Sequence, residues 1–225
     1  MHSKTKNVIA VLALILTGVL IAVLKTEDVA PIGPEGTSIG LSHLNQSFHE
    51  WTGVNEGILG LSEFGGYLAI ATALVFAMIG LVQLIKRRSL RKIDRALLLT
   101  AGLYAMVVVL YVLFDVAVVN YRPVIMPGDA HVEPSCPSTH AMMGCVFMGS
   151  AYLLVPYYVK ADATVTILRL LSVVNMFLVV GGRLFSGVHW LTDIIGGVLI
   201  SIALLCFYSA LLDEQAEAEP EQENN

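Results

Sequence analysis

Three short segments of this sequence combine histidine, arginine and aspartate in a way that suits the handling of phosphate. Histidine can act as a nucleophile or transfer a proton near neutral pH, and arginine presents a planar fork of donors to phosphate oxygens. The segments are Asn120-Tyr121-Arg122-Pro123, Pro137-Ser138-Thr139-His140, and the stretch from Arg183 through His189 to Asp193. They indicate a single site for an anionic group.

His189 and Asp193 lie four residues apart, so both side chains can point the same way if this segment is helical. The carboxylate would then keep a proton on one imidazole nitrogen and leave the other nitrogen free to attack. The alternative is a structural His–Asp pair at the membrane surface, with Arg183 reaching toward water. We favour the catalytic interpretation.

The segment Pro137-Ser138-Thr139-His140 precedes an apolar run, which predicts that Ser138 or Thr139 caps the start of a helix. The first amides of a helix lack partners and attract anions. Taken alone, the tetrapeptide is better explained as an ordinary cap with a chance histidine. Two arginines, Arg122 and Arg183, aimed at the same helix start would match the charge of a phosphoryl group in its transition state.

These segments resemble the three motifs of the type 2 phosphatidic acid phosphatase superfamily of membrane lipid phosphatases, which read K-x6-R-P, P-S-G-H and S-R-x5-H-x3-D. The resemblance covers most of the chain. The matching residues are Arg122-Pro123 in the first motif, Pro137-Ser138 and His140 in the second, and Arg183, His189 and Asp193 in the third.

The resemblance implies that His189 attacks phosphorus to form a phosphohistidine, that Asp193 orients His189, and that His140 protonates the departing oxygen and then activates water. It further implies a metal-independent enzyme without a cofactor. The residues expected to hold the phosphate oxygens are Arg122, Arg183, Ser138 and Thr139.

Three positions depart from the family pattern. Asp115 stands where the first motif has lysine, and an acidic residue there would repel phosphate. Thr139 replaces the glycine of the second motif, where it can crowd the anion or offer its hydroxyl group. Gly182 replaces the serine before Arg183. The expected nucleophile, its orienting carboxylate and the acid are all retained.

Composition identifies the elements that must position these residues. The 225 residues are 56% hydrophobic and 14% charged, whereas about a quarter of the residues in a soluble domain are charged. We therefore predict an all-α bundle of six transmembrane helices in one membrane domain, residues 1–212. The expected spans are 8–24, 64–85, 96–119, 140–159, 164–182 and 193–212.

The first span could be a signal peptide, but no A-x-A cleavage site follows it closely, and we expect an uncleaved anchor. Between spans one and two, Leu41, Leu44, Phe48 and Trp51 recur at helical spacing, which predicts a short helix at the outer interface. We expect this helix to pack against the bundle, with the guidance of lipid toward the site as the alternative.

The distribution of basic residues predicts the orientation. Lys4 and Lys6 precede the first span, and a cluster of six bases separates spans two and three, which places both segments in the cytoplasm. The phosphate-handling segments then fall on the outer face, and both termini are cytoplasmic. Residues 213–225 carry six acids and no base, so we expect a disordered tail. The basic cluster comprises Lys86, Arg87, Arg88, Arg91, Lys92 and Arg95.

The loop residues Asp129, His131 and Glu133 precede the second motif and either contact a head group or are only solvated. Cys136 is expected to be a free thiol. We expect a lipid phosphate as substrate and membrane lipids as surroundings, no nucleic-acid partner, and an undetermined oligomeric state.

The best single substrate prediction is undecaprenyl diphosphate, hydrolysed to undecaprenyl phosphate at the outer leaflet, by family analogy and topology. Phosphatidylglycerophosphate, phosphatidate and diacylglycerol pyrophosphate are alternative substrates. A lipid phosphotransferase and a catalytically silent lipid-phosphate-binding protein are alternative functions.

Overall fold

The computed structural model describes the backbone of residues 2–223 and the side chains of residues 2–214. Within this range the chain is all-α, as predicted. Its helices are α1 (Ser3–Thr26), α2 (Ser42–Thr52), α3 (Glu56–Arg87), α4 (Arg95–Val116), α5 (Thr139–Tyr158), α6 (Asp162–Phe185) and α7 (Leu191–Glu223), with single 3₁₀ turns at Pro34–Gly36 and Leu90–Lys92.

Six of these helices are long and apolar enough to cross a membrane, namely all except α2. The most buried of the six is α5, which packs against α3, α6 and α7. Helix α1 lies along α7, and α4 contacts α5 and α7. The chain is therefore a multi-pass membrane protein in which α5, the helix that follows the second motif, forms the centre of the bundle.

The ends of the helices differ from those of the predicted spans, and at the start of α3 a capping residue is the reason. Helix α3 begins at Glu56 instead of residue 64, since the Asn55 side chain accepts a hydrogen bond from the Ile58 amide at 3.0 Å. Helix α4 ends at Val116 instead of residue 119. Helix α7 continues to Glu223 and so enters the acidic segment 213–225. The side chains after residue 214, and the last two residues altogether, lie outside the described part of the chain. The prediction of a disordered tail is therefore not tested.

The short helix α2 is present between the first two spans, but its polar face packs against the bundle. Asn45 is fully buried and donates to the Gly40 carbonyl and the Thr192 hydroxyl at 2.9 and 3.0 Å. Leu44 and Trp51 are exposed. The helix packs against the bundle, as predicted, and Asn45 also accepts a hydrogen bond from the Thr192 amide, which has no partner within the first turn of α7.

Two isolated β-bridges order the segments around the site end of the bundle. One joins Ala30 to Ile39, and the other joins Tyr121 to Pro134. The second bridge closes a hairpin-like loop in which the Arg122 amide donates to the Glu133 carbonyl at 3.0 Å and the Ser135 amide to the Asn120 carbonyl at 2.9 Å. This loop connects α4 to α5.

Candidate active site

The residues of the three motifs come together at one end of the bundle, where α4 and α6 end and α5 and α7 begin. A cavity of about 200 Å³ opens there. Its lining residues are Tyr111, Phe114, Asp115, Arg122, Glu133, Pro134, Ser135, Cys136, Pro137, Thr139, His140 and His189. The basic cluster at residues 86–95 lies at the opposite end of the same helices.

His189 and Asp193 form a buried pair, with 3% and 0% of their surfaces exposed. The Nδ1 atom of His189 lies 3.4 Å from Oδ2 of Asp193, a long contact of the kind that tightens when a substrate binds. Nε2 of His189 is buried and has no hydrogen-bond partner among the described residues. With a proton on Nδ1, Nε2 keeps its lone pair beside the cavity.

The His–Asp pair is not held by one continuous helix, because α7 begins only at Leu191. Instead, Asp193 occupies the first turn of α7, and its Oδ2 accepts a hydrogen bond from the Trp190 amide at 3.0 Å. This contact is the reciprocal half of a capping box, in which a side chain reaches back to the amide before the helix. The carboxylate is thereby fixed by the backbone independently of His189.

Burial governs the protonation of His189. It lowers the pKa of this imidazole below its ordinary value, whereas the neighbouring Asp193 carboxylate acts in the opposite direction. The result is a neutral imidazole at neutral pH, which is the form that can act as a nucleophile.

Burial also raises the pKa of the Cys136 thiol, and the charge of Asp193 acts in the same direction. Cys136 is free and protonated.

Arg122 lines the cavity from the loop after α4. Its guanidinium group is mostly buried, with Nε 3.3 Å from Oε2 of Glu133. Neither Nε nor Nη1 makes a hydrogen bond of acceptable geometry within the described part of the chain. Buried guanidinium donors without acceptors are costly, so this group is suited to receive oxygen atoms from a bound anion.

Arg183 approaches from the last turn of α6, and only 2% of its surface is exposed. Its Nη2 atom lies 3.8 Å from Oε1 of Glu63 on α3, and its Nε atom has no partner among the residues described. Arg122, Arg183 and His189 are close enough for the charges of both arginines to act on the imidazole. Two cationic groups with free donors therefore surround one histidine.

The presence of Gly182, where the family motif has serine, has a structural explanation. A Cβ atom at Gly182 would lie 2.6 Å from Cβ of Ser62, which is closer than side chains approach. The Ser62 hydroxyl group fills this space and donates to the Val179 carbonyl at 3.0 Å. The close contact of α3 with α6 thus requires glycine before Arg183, and it brings Glu63 next to that arginine.

The start of α5 contributes the remaining predicted residues. Ser138 is the N-cap and accepts from the Ala141 amide at 3.4 Å, while its own amide donates to the Asp193 carbonyl at 2.9 Å. The Ser138 amide is therefore already paired, and its hydroxyl proton is the donor that remains. Thr139 and His140 line the cavity. His140 also lies within reach of the charges of Arg122, Arg183 and His189.

Asp115 lies on the cavity wall in the last turn of α4. Its side chain is exposed and makes no hydrogen bond or ion pair with any described residue. No lysine lines the cavity among the described residues, where Arg122 is the single lining residue of the Lys/Arg type. The contact expected from the first-motif lysine is thus missing rather than supplied by another base.

The loop residues differ in their positions. Glu133 lines the cavity beside Arg122, whereas His131 is exposed and its Nδ1 pairs with Oε1 of Glu35 at 3.0 Å. Asp129 is exposed at the tip of the loop and does not line the cavity. Of the three, only Glu133 is placed to meet a bound head group.

Two residues of the site were not identified from the sequence. Glu63 directly precedes the apolar run that starts at residue 64, so it could have been noted as an ionisable residue at the edge of a predicted span. Ser135 gives no such signal, because a serine in a polar loop is common. In the structure Ser135 is 3% exposed and lines the cavity, and its hydroxyl group has no partner among the described residues.

The comparisons with known proteins agree with this geometry. The sequence model of the PAP2 superfamily matches residues 116–216, which contain every motif residue of the site. This confirms the resemblance to the type 2 phosphatidic acid phosphatase superfamily. Asp115 lies one residue outside the match. No curated protein matches the chain.

A solved structure supports the fold over nearly the whole chain. The transmembrane PAP2 type phosphatidylglycerolphosphate phosphatase from Bacillus subtilis superposes with a TM-score of 0.63, at 19% sequence identity, covering 92% of this chain and 96% of that one. The similarity shows that the two proteins share a fold.

Proposed function

Starting from the PAP2 superfamily match of residues 116–216, we propose that this chain is a membrane lipid phosphate phosphatase that acts through a phosphohistidine intermediate. The observation that carries the proposal is a set of buried nitrogen atoms without partners among the described residues. They are Nε2 of His189 and Nε and Nη1 of Arg122, whose residues line the cavity, and Nε of Arg183, whose residue lies behind the lining. A phosphate group at Nε2 of His189 would accept hydrogen bonds from the arginine donors.

In the first step, Nε2 of His189 donates its lone pair to phosphorus, and the bond between phosphorus and the leaving oxygen breaks. His140, which carries a proton once the anionic phosphate has bound beside it, gives this proton to that oxygen, so that the lipid product departs neutral at that atom. Arg122 and Arg183 stabilise the equatorial oxygens. Asp193 stabilises the imidazole as it gains positive charge.

In the second step, water attacks the phosphohistidine, and neutral His140 accepts its proton. The bond between Nε2 and phosphorus breaks, inorganic phosphate is released, and His189 returns to its neutral form. The hydroxyl groups of Ser138 and Thr139 are the further donors proposed for the phosphate oxygens. No step requires a metal ion, and metal independence is part of the proposal.

We place the site on the outer face of the membrane. The argument is the basic cluster at residues 86–95, which lies at the end of the bundle opposite the cavity and favours the cytoplasm. Lipid phosphates of the outer leaflet are then the accessible substrates. Undecaprenyl diphosphate, phosphatidylglycerophosphate, phosphatidate and diacylglycerol pyrophosphate are the candidates, and the neighbouring Bacillus protein is a phosphatidylglycerolphosphate phosphatase.

The test is phosphate release from short-chain versions of these lipids by purified protein in EDTA. We expect release by the wild type and a loss of at least about 10³-fold in His189→Gln, because the nucleophile is removed. His43→Gln is the matched control, since His43 is exposed and paired with Asp28. Equal activity in His189→Gln and the wild type would contradict the proposal, as would a requirement for Mg²⁺.

A further inference from the structure

The cavity lining combines two kinds of residue. His189, His140 and Arg122 suit a phosphoryl group, whereas Asp115, Glu133 and Ser135 contribute two carboxylates and a hydroxyl group. Arg122 is the only lysine or arginine among the described lining residues. A head group that carries charge beyond the reacting phosphate therefore meets carboxylates in the same cavity, without a second lining base to balance them.

The two carboxylates are not equivalent. Glu133 lies 3.3 Å from Arg122, so its charge is partly balanced. Asp115 has no partner in the described part of the chain, and it occupies the position seven residues before Arg122. A second phosphate group placed beside Asp115 would bring like charges together, which costs free energy.

Ser135 adds an observation that is independent of charge. Its hydroxyl group is buried, lines the cavity and has no partner among the described residues. A buried hydroxyl group of this kind normally finds a hydrogen-bond partner, and the cavity is the place from which a ligand can supply one. A substrate atom that pairs with Ser135 therefore lies in the cavity that Asp115 and Glu133 also line.

We infer that Asp115, together with Glu133, makes this enzyme selective for lipid phosphomonoesters over lipid diphosphates. This inference rests on the proposed function and deepens it. The reacting phosphate is held between His189 and the two arginines, whereas the second phosphate of a diphosphate, the one attached to the lipid, has no lysine to meet it and lies in the cavity that Asp115 lines. The inference therefore disfavours undecaprenyl diphosphate, the substrate predicted from family analogy and topology.

The experiment compares phosphatidate with diacylglycerol diphosphate of the same acyl chains, so that the two substrates differ by one phosphate group. The measured quantity is the ratio of kcat/KM for the monophosphate to that for the diphosphate. We expect a wild-type ratio of about 10 or more. In Asp115→Asn the ratio should fall several-fold, and in Asp115→Lys it should fall to about 1 or below, because repulsion is replaced by attraction.

Asp129→Asn is the matched control, since Asp129 is an exposed acid on the same loop as Glu133 but does not line the cavity. Its ratio should equal that of the wild type. Glu133→Gln provides a second variant and should lower the ratio in the same direction. Thermal unfolding in detergent verifies that each variant is folded.

A wild type that hydrolyses both lipids equally well, or a ratio unchanged by Asp115→Lys, would overturn the inference while leaving the phosphatase proposal intact. Release of phosphate from neither lipid would also overturn this inference, and release from none of the four candidate lipids would contradict the proposed function itself.

Discussion

At the scale of single residues, the site is organised around nitrogen atoms that the protein buries without satisfying. Leaving a buried donor unpaired costs about 1–3 kcal/mol, and the site contains several on Arg122 and Arg183, beside the unpartnered lone pair on Nε2 of His189. Under the proposed function, a bound phosphate pairs these donors. Asp193 differs from them, since its Oδ2 is already held by the Trp190 amide.

The lowered pKa of His189 predicts the pH dependence of the reaction. The imidazole must be neutral to attack, and burial keeps it neutral below its ordinary pKa of 6.5. As the pH falls, the activity should therefore persist through 6.5 and decline only at lower pH. The measurement is kcat/KM as a function of pH, corrected for the ionisation of the substrate by ³¹P titration. A corrected acid limb at or above pH 6.5 would show that His189 is not the group that must stay neutral.

Ser135 is predicted to contact the substrate directly. Ser135→Ala should lower kcat/KM about 10-fold or more, because a hydrogen bond to a charged group contributes about 1.5–3 kcal/mol. Ser47→Ala is the control, since Ser47 is exposed on α2. The measurement is phosphate release with a lipid phosphomonoester. Unchanged kinetics in Ser135→Ala would place its hydroxyl group outside the substrate contacts.

Sequence reasoning was effective for residues that carry chemistry at fixed spacing. The motif residues His140, His189 and Arg122 do line one cavity. Sequence reasoning could not show that the Ser138 amide donates to the Asp193 carbonyl, because that contact joins segments that are distant in sequence. It also could not identify Ser135, whose importance depends on burial rather than residue type.

At the scale of elements, the turn between α6 and α7 positions His189, the proposed nucleophile. Gly187 has a φ of 72°, and a Cβ atom there would lie 2.0 Å from the Gly53 carbonyl oxygen. The Asn55 amide also donates to the Ser186 carbonyl at 3.1 Å. The start of α3 and the turn that carries His189 are therefore held together by backbone contacts that only a glycine permits.

Gly187→Ala should disturb both stability and activity. The left-handed backbone and the contact with Gly53 predict a loss of about 2–3 kcal/mol in the free energy of unfolding. The turn should shift, and kcat should fall. The measurements are the unfolding transition in detergent and kcat on the same preparation. Gly18→Ala is the control, because a Cβ atom at Gly18 would meet nothing within 4 Å. Equal stability of Gly187→Ala and the wild type would refute this account of the turn.

The six spans could be predicted because hydropathy alone reveals them. Their ends could not, since helix caps such as Asn55 extend α3 by a full eight residues beyond the apolar run that starts at residue 64. The docking face of α2 was also inaccessible to sequence reasoning. Asn45 is buried because it accepts a hydrogen bond from the Thr192 amide. That amide has no partner within α7, a helix that lies far from α2 in the sequence.

At the scale of the whole molecule, the charge distribution separates the two ends of the bundle. The bases between α3 and α4 lie at one end, and the cavity lies at the other. Because cytoplasmic loops accumulate lysine and arginine, this arrangement predicts that the loop between α4 and α5 is outside the cell.

Labelling with a membrane-impermeant thiol reagent tests this orientation. Ala130→Cys places an exposed thiol on the loop between α4 and α5, whereas Val132 is largely buried and a poor site for labelling. We expect Ala130→Cys to react in intact cells and Ala161→Cys, between α5 and α6, to react only after membrane disruption. The wild type reports the background from its own cysteines. The reverse pattern would invert the proposed topology.

The most direct test of the central claim is to trap the intermediate. Wild-type protein is mixed with a ³²P-labelled lipid phosphomonoester, quenched within one turnover, and digested for peptide mapping. We expect acid-labile, base-stable label on the peptide that contains His189, and no label in His189→Gln. Label on a different residue, or turnover by His189→Gln at the wild-type rate, would contradict the assignment of His189 as the nucleophile.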